Sequence, residues 1–150
     1  SALALQSSGV RVVLMRTGLV FTYRGGALAK LLPIFKLGIG GKLGSGKQYW
    51  SFISLEDEIR AIKFLLEKDL SGPVNLTAPN PATNLEVTKA LGKALKRPTF
   101  LAVPAFALKI VLGEFSIEIL GSANVVPTKL HQAGFEWKHP NIDQVASTVV

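Results

Sequence analysis

Trp50-Ser51-Phe52-Ile53-Ser54-Leu55-Glu56-Asp57 is a short extended run that passes directly into a helix. Trp50, Phe52 and Leu55 are spaced for a half-buried extended segment, and Ser54 suits the position just before a helix. Asp57 follows three residues later, the spacing of a capping box, in which each end accepts from an orphan backbone N–H of the other. Ile59, Ile62, Leu65 and Leu66 then set apolar side chains on one helix face. Before this stretch, residues 10–16 read Val-Arg-Val-Val-Leu-Met-Arg. Arg11 apart, that run suits a strand buried on both faces of a parallel sheet, and it leads into Arg16-Thr17-Gly18. After the helix, Gly72-Pro73 is a stop signal and residues 74–77 form a second candidate strand. Parallel strands joined by crossovers need a sheet of several strands. The expected fold class is therefore α/β, the last strands of a doubly wound parallel sheet whose first strands lie outside these 150 residues, so the chain reads as a fragment.

Residues 1–8 read as the tail of a helix stopped at Gly9. Residues 26–37 are rich in Leu and Lys and carry Pro33, which predicts a short helix broken or kinked near Leu32. The nine residues 38–46 hold five glycines and read as a loop. Asn80-Pro81 marks a turn. Thr83 with Glu86 then opens a helix that runs to about Lys96, with Val87, Leu91, Ala94 and Leu95 inward. Residues 99–103 predict a short strand, and Pro104 suits the first turn of a helix over 105–120, interrupted at Gly113. A short helix is expected over 127–134, a small alternating strand over 135–138 and a final helix over 140–150.

Hydrophobic residues make up 48% of the chain, enough for a core and against disorder. There is no cysteine, which excludes disulfides, thiolate metal sites and cysteine nucleophiles and fits a reducing, cytoplasmic setting. The start carries no signal-peptide pattern, and the longest apolar stretch, 100–113, is too short to span a bilayer and contains Pro104 and Lys109. No membrane partner is expected. The formal charge of +7 could favour an anionic ligand, but the lysines are spread thinly, with no aromatic-interleaved basic motif, so dedicated nucleic-acid binding is not favoured.

Gly41-Lys42-Leu43-Gly44-Ser45-Gly46-Lys47 fits the first seven positions of a P-loop, yet Gln48 stands where a magnesium-binding hydroxyl is required and a strand follows instead of a helix. A flexible Gly-rich loop is the better reading. No stretch carries the Gly-x-Gly-x-x-Gly of a dinucleotide cradle between strand and helix. His131 and His139 have no acidic partner placed for a metal site, and Ser51 and Ser54 lack a nucleophile elbow, so neither a metal site nor a catalytic residue is assigned. Glu56, Asp57 and Glu58 are adjacent in sequence and do not share one helix face.

Arg16-Thr17-Gly18, Gly25-Gly26-Ala27, the stretch 37–46, the run 50–57, Asn75 to Pro79 and the segment from Pro98 onward occur in an order that resembles the C-terminal half of an extended short-chain dehydrogenase/reductase of the nucleoside-diphosphate-sugar epimerase type. The resemblance is to the branch labelled epimerase family protein, and it covers essentially the whole chain. It implies a Rossmann-like remnant over residues 1–24 and 55–80, with a small α+β C-terminal substrate-binding domain over 25–54 and 81–150. It implies that Arg16, Thr17, Gly18 and Leu19 lie near the nicotinamide of NADP or NAD in the complete protein. It also implies that Lys47, Gln48, Trp50 and Ser51 border the pocket of a small-molecule substrate, a sugar nucleotide being the broader family's default. Asp57 would anchor the hinge between the two halves. The Tyr-x-x-x-Lys pair of that family is absent: Tyr23 and Tyr49 are followed four residues later by Ala27 and Ile53. This chain is therefore expected to be inactive alone, as part of an NAD(P)-dependent epimerase or oxidoreductase completed by a missing N-terminal half. The alternative is a non-enzymatic basic module for an anionic ligand, nucleic acid or protein partner. A further expectation is self-association through the open edge of the strand over 10–16.

Overall fold

The computed structural model describes residues 9–104, 106, 110, 113 and 116–150, with Ala27 and Glu118 described only as backbone. Their elements are β1 (Val13–Thr17), β2 (Leu19–Phe21), α1 (Gly26–Lys36), β3 (Gly41–Leu43), β4 (Tyr49–Trp50), β5 (Phe52–Ser54), α2 (Leu55–Glu67), β6 (Gly72–Leu76), β7 (Ala82–Thr83), α3 (Asn84–Leu95), β8 (Leu101–Val103), α4 (Ser116–Leu120), α5 (Thr128–Gln132) and α6 (Ile142–Ser147). The expected helix at 1–8, and much of the one expected over 105–120, lie outside the described residues.

The two strands read from sequence pair in parallel, β1 against β6, with Val13 opposite Gly72 and Thr17 opposite Leu76. β2 pairs in parallel with β5, β3 with β8, and β4 runs antiparallel to β7. The chain changes partner at Gly18: the Gly18 N–H donates to Leu76 O at 3.0 Å, and the next one, Leu19 N–H, to Ser51 O at 2.8 Å. A Cβ at Gly18 would lie 2.5 Å from Ser51 O, so this crossing of two strand pairs requires glycine.

Two apolar clusters form the interior. One gathers Phe21, Leu28, Leu31, Leu32, Phe35, Trp50, Phe52, Val87, Leu91 and Val145, from α1, α3, α6 and the strands between them. The other joins Ile53, Ala61, Leu65, Val74, Leu76, Leu130 and Phe135, so α2 and α5 pack against the β1–β6 pair. α3 starts as its sequence reads: the Thr83 hydroxyl accepts from the Glu86 N–H while the Glu86 carboxylate accepts from the Thr83 N–H, a complete capping box. Its last turn closes on Lys96 in the left-handed region at φ 54. Thr83→Ala is expected to lower stability by about 1 kcal/mol in chemical denaturation, the usual cost of losing such a cap. Thr83→Ser should retain most of it.

Several expectations change. β1 is not buried on both faces. Met15, Arg16 and Thr17 are exposed, since little among the described residues covers this end of the strand, and β1 has a single pairing partner there. Pro33 lies inside an unbroken α1: Leu28, Leu31, Leu32 and Phe35 are all buried, and that packing outweighs one lost backbone bond. The Gly-rich stretch is not all loop, since residues 41–43 pair with β8. On α2 the buried face runs through Asp57, Glu58, Ala61 and Leu65, whereas Ile59 and Leu66 are exposed. Residues 135–138 form no strand. The amide of Lys138 donates to the Asp57 carboxylate instead of a ladder partner, and the Trp137 indole N–H to Thr77 O at 3.0 Å.

Candidate functional site

Parallel strands β1 and β6 both end, at Thr17 and Leu76, on the same rim of the molecule. In open α/β sheets the crevice beyond the carboxyl ends of the strands is where ligands bind. A cleft of about 640 Å³ opens there, lined on one side by Arg16, Thr17, Gly18 and Leu19 and on the other by Tyr49, Trp50 and Ser51. Asn75 and Thr77 complete its floor, and the segment 121–125 forms its outer wall.

That wall is held by side chains that sequence reasoning had given other work or none. The Ser51 hydroxyl donates to Ala123 O at 2.6 Å and accepts from Val125 N–H at 2.8 Å. The Tyr49 N–H donates to Ser122 Oγ at 3.0 Å, and Tyr49 O accepts from Ala123 N–H at 2.9 Å. Thr77 Oγ1 and Asn75 Nδ2 reach Val125 O and Val126 O, at 3.4 and 3.2 Å. The Trp50 indole N–H donates to Ile119 O at 3.0 Å, and this tryptophan is nearly fully buried. Trp50 and Ser51 therefore border the cleft, while their polar atoms fasten its wall.

The Gly18 and Leu19 amides are likewise used in the strand crossing. Two of the lining residues keep side-chain bonding capacity to spare: Arg16, whose guanidinium has no ion pair or hydrogen bond among the described residues, and Thr17. Thr17 Oγ1 donates to Glu58 Oε1 at 2.9 Å, which leaves its oxygen able to accept. A cation at the strand end, a hydroxyl acceptor and apolar sides from Leu19, Trp50 and Val125 form a site for a polar ring-bearing or anionic molecule.

Lys47 and Gln48 do not line this cleft. Gln48 is buried, and its carboxamide donates to Leu43 O at 2.9 Å, closing the β3–β4 turn. Gln48 O and Gly46 O accept from the Asn84 and Leu85 amides at 2.8 and 3.0 Å, so the loop is stapled to the start of α3. The backbone amides a P-loop would offer to phosphate are here turned to the fold: Gly46 N–H donates to Leu43 O and Lys47 N–H to Ser45 Oγ. Lys47 is exposed elsewhere on the surface.

Asp57 is structural in a different way from the one its spacing suggests. Its amide donates to Ser54 Oγ, half of a capping box. Its carboxylate, fully buried, turns away to accept from the amides of Lys138 and His139, both at 2.9 Å, and from Arg60 Nη1 at 2.8 Å. The Ser54 hydroxyl meets His139 Nδ1 at 3.0 Å. His131 stacks near Trp137, at a centroid distance of 6.4 Å. Among the described residues no group of three or more His, Cys, Asp or Glu side chains is placed to hold a metal ion, and no helix is long and apolar enough to cross a membrane. Asn75 and Thr77 could have been found from sequence, since they sit at the C-terminal end of the second parallel strand. Ser122 to Val125 carry no motif, and their role depends on a fold-back of some 70 residues onto β4.

Residues 103–149 match a family model described as a domain of unknown function, DUF1731. An epimerase family protein of Mycobacterium bovis is 49% identical over 141 residues, covering 93% of this chain and 47% of that protein. A chloroplastic homologue from Arabidopsis thaliana, named epimerase family protein SDR39U1 homolog, is 39% identical over 142 residues, covering 94% of this chain and 41% of its own length. The crystal structure of human epimerase family protein SDR39U1 with NADPH superposes with a TM-score of 0.87 at 31% identity, over 93% of this chain and 48% of that one. The chain spans about half the length of the relatives it matches. The α/β, Rossmann-like class read from the two parallel strands is the class of these structures.

Proposed function

We propose that the chain, similar over more than nine-tenths of its length to epimerase family proteins, supplies the substrate-side portion of a longer NAD(P)-dependent epimerase-like protein. The observation that carries the reading is the position of the cleft, at the carboxyl ends of β1 and β6 and walled by Arg16 to Leu19. A nicotinamide bound there would give or take a hydride. Leu19 and Trp50 would exclude water beside the ring. Arg16 would meet a negative group of the cofactor or substrate, and Thr17 would accept from a ligand N–H. A small-molecule substrate of the sugar-nucleotide class would share the cleft along Trp50 and the 121–125 wall. The proton donor would come from outside these residues, because neither tyrosine here belongs to a Tyr-x-x-x-Lys pair.

NADPH titrated into the full-length gene product tests this. A ligand that binds only the folded state raises stability by about 2.7 kcal/mol at a hundredfold excess over Kd. Arg16→Ala should weaken NADPH or substrate binding by about tenfold, the loss of a hydrogen bond to a charged group. No stabilisation at any NADPH concentration would remove the reading.

A further inference from the structure

Glu58 is the one described residue with a buried side-chain oxygen that lacks a hydrogen-bond partner. It lies on the first turn of α2, more than nine-tenths buried, at a position where the helix otherwise turns apolar side chains inward. A carboxyl in such a place costs stability while one of its oxygens stays unpaired. Its bonded oxygen, Oε1, accepts from the hydroxyl of Thr17, and Thr17 lines the cleft at the end of β1. The neighbouring Asp57 carboxylate is turned the other way, onto Arg60 and the 138–139 backbone. Glu58 thus stands directly behind one wall residue of the cleft, coupled to it through a single hydrogen bond.

We propose that Glu58 is a positioning residue of the cleft, setting through Thr17 whether the hydroxyl at the strand end meets a bound ligand as an acceptor or as a donor. The chemistry follows from proton counting. An ionised Glu58 can only accept, so the Thr17 hydrogen is committed to it and the Thr17 oxygen offers the cleft lone pairs alone. That state selects a ligand N–H, such as the amide of a carboxamide. A neutral Glu58 can donate its own proton to Thr17, which frees the Thr17 hydrogen to turn towards a ligand oxygen. Two effects set the balance. Burial pushes the Glu58 carboxyl up from its ordinary value, and the Thr17 hydrogen bond opposes this more weakly; no charged neighbour adds to either. The switch therefore operates above the ordinary glutamate value, and Thr17 changes its bonding role without any movement of the backbone.

The inference rests on the cleft being a ligand site, so its test includes a readout that needs no ligand. In the full-length gene product labelled with 13C at glutamate carboxyls, the Glu58 signal should titrate above the ordinary glutamate value, and Thr17→Val should move it higher still, because the opposing bond is gone. A Glu58 titration that Thr17→Val leaves in place overturns the coupling, whether or not any ligand binds. With NADPH as the probe, wild-type affinity should change by about three- to tenfold across the pH range in which Glu58 titrates, the worth of one hydrogen bond. Glu58→Gln keeps an acceptor for Thr17 but has no proton to lose. It should bind NADPH with a flat profile over that range, whereas Glu58→Leu should lose affinity as well as the pH dependence. A Glu58→Gln profile that follows the wild type overturns the proposal. Absence of NADPH binding by wild type would instead count against the cofactor reading alone, and the carboxyl titration would still decide the coupling.

Discussion

Asp57→Ala is expected to destabilise the fold by about 3–5 kcal/mol, the usual cost of removing one partner from a buried charged network. The side chain is fully buried and serves three donors at once: Arg60 Nη1, the Lys138 amide and the His139 amide. Alanine would leave those amides without a partner and the Arg60 guanidinium without its ion pair. It would also free the segment that carries Trp137, whose indole holds Thr77 O at the floor of the cleft. For a domain of this size the loss corresponds to a fall in Tm on the order of 10 °C. Hydrogen exchange should report it first at the Lys138 and His139 amides. Asp57→Asn retains an acceptor for one amide and presents an NH2 to the other, so only part of the loss should return. A cost below about 1 kcal/mol would mean that the 138–139 segment is held by something else.

Gly41→Ala is the second large effect. A Cβ built there would sit 1.5 Å from Leu101 O and 2.4 Å from Leu101 C. Both atoms are backbone, so no rotamer relieves the clash, and β3 must part from β8. The separation would also strain the Leu43 amide, bonded to Asn84 Oδ1 at 2.8 Å, and the Gly44 amide, bonded to Val103 O at 2.9 Å. An overpacking cost of about 1–3 kcal/mol or more is expected in chemical denaturation, with loss of exchange protection confined first to residues 41–44 and 101–103. Gly25→Ala is the control. Nothing lies within 4 Å of a Cβ there and φ is 175, so stability should change little.

Which elements the sequence reveals follows from how local their causes are. β1 and β6 are apolar runs, α3 has a reciprocal cap, and Ser54 caps α2, so each is specified by neighbours within a few residues. Asp57 shows the limit of that logic. The spacing from Ser54 predicts a carboxylate turned back on its own helix start, but the carboxylate finds two free amides about 80 residues away. Pro33 and the Gly-rich strand β3 are the reverse case, where packing and pairing override local preference. The same distinction divides the cleft. Arg16 to Leu19 line the cleft, and their place there follows from a strand end, a local feature of the sequence. Trp50 and Ser51 were legible as border residues but not as fasteners, since their bonds go to Ile119, Ala123 and Val125. Lys47 and Gln48 were expected at the substrate pocket because the resembled family borders its cleft with this Gly-rich loop. The structure turns that loop's carbonyls onto the start of α3 instead.

The most direct measurement is a structure of the full-length gene product crystallised with NADPH. The account predicts the nicotinamide ring against Thr17, Gly18 and Leu19, inside the cleft closed by Trp50 and residues 121–125. Cofactor density lying away from the ends of β1 and β6, with that cleft left to solvent, would contradict it.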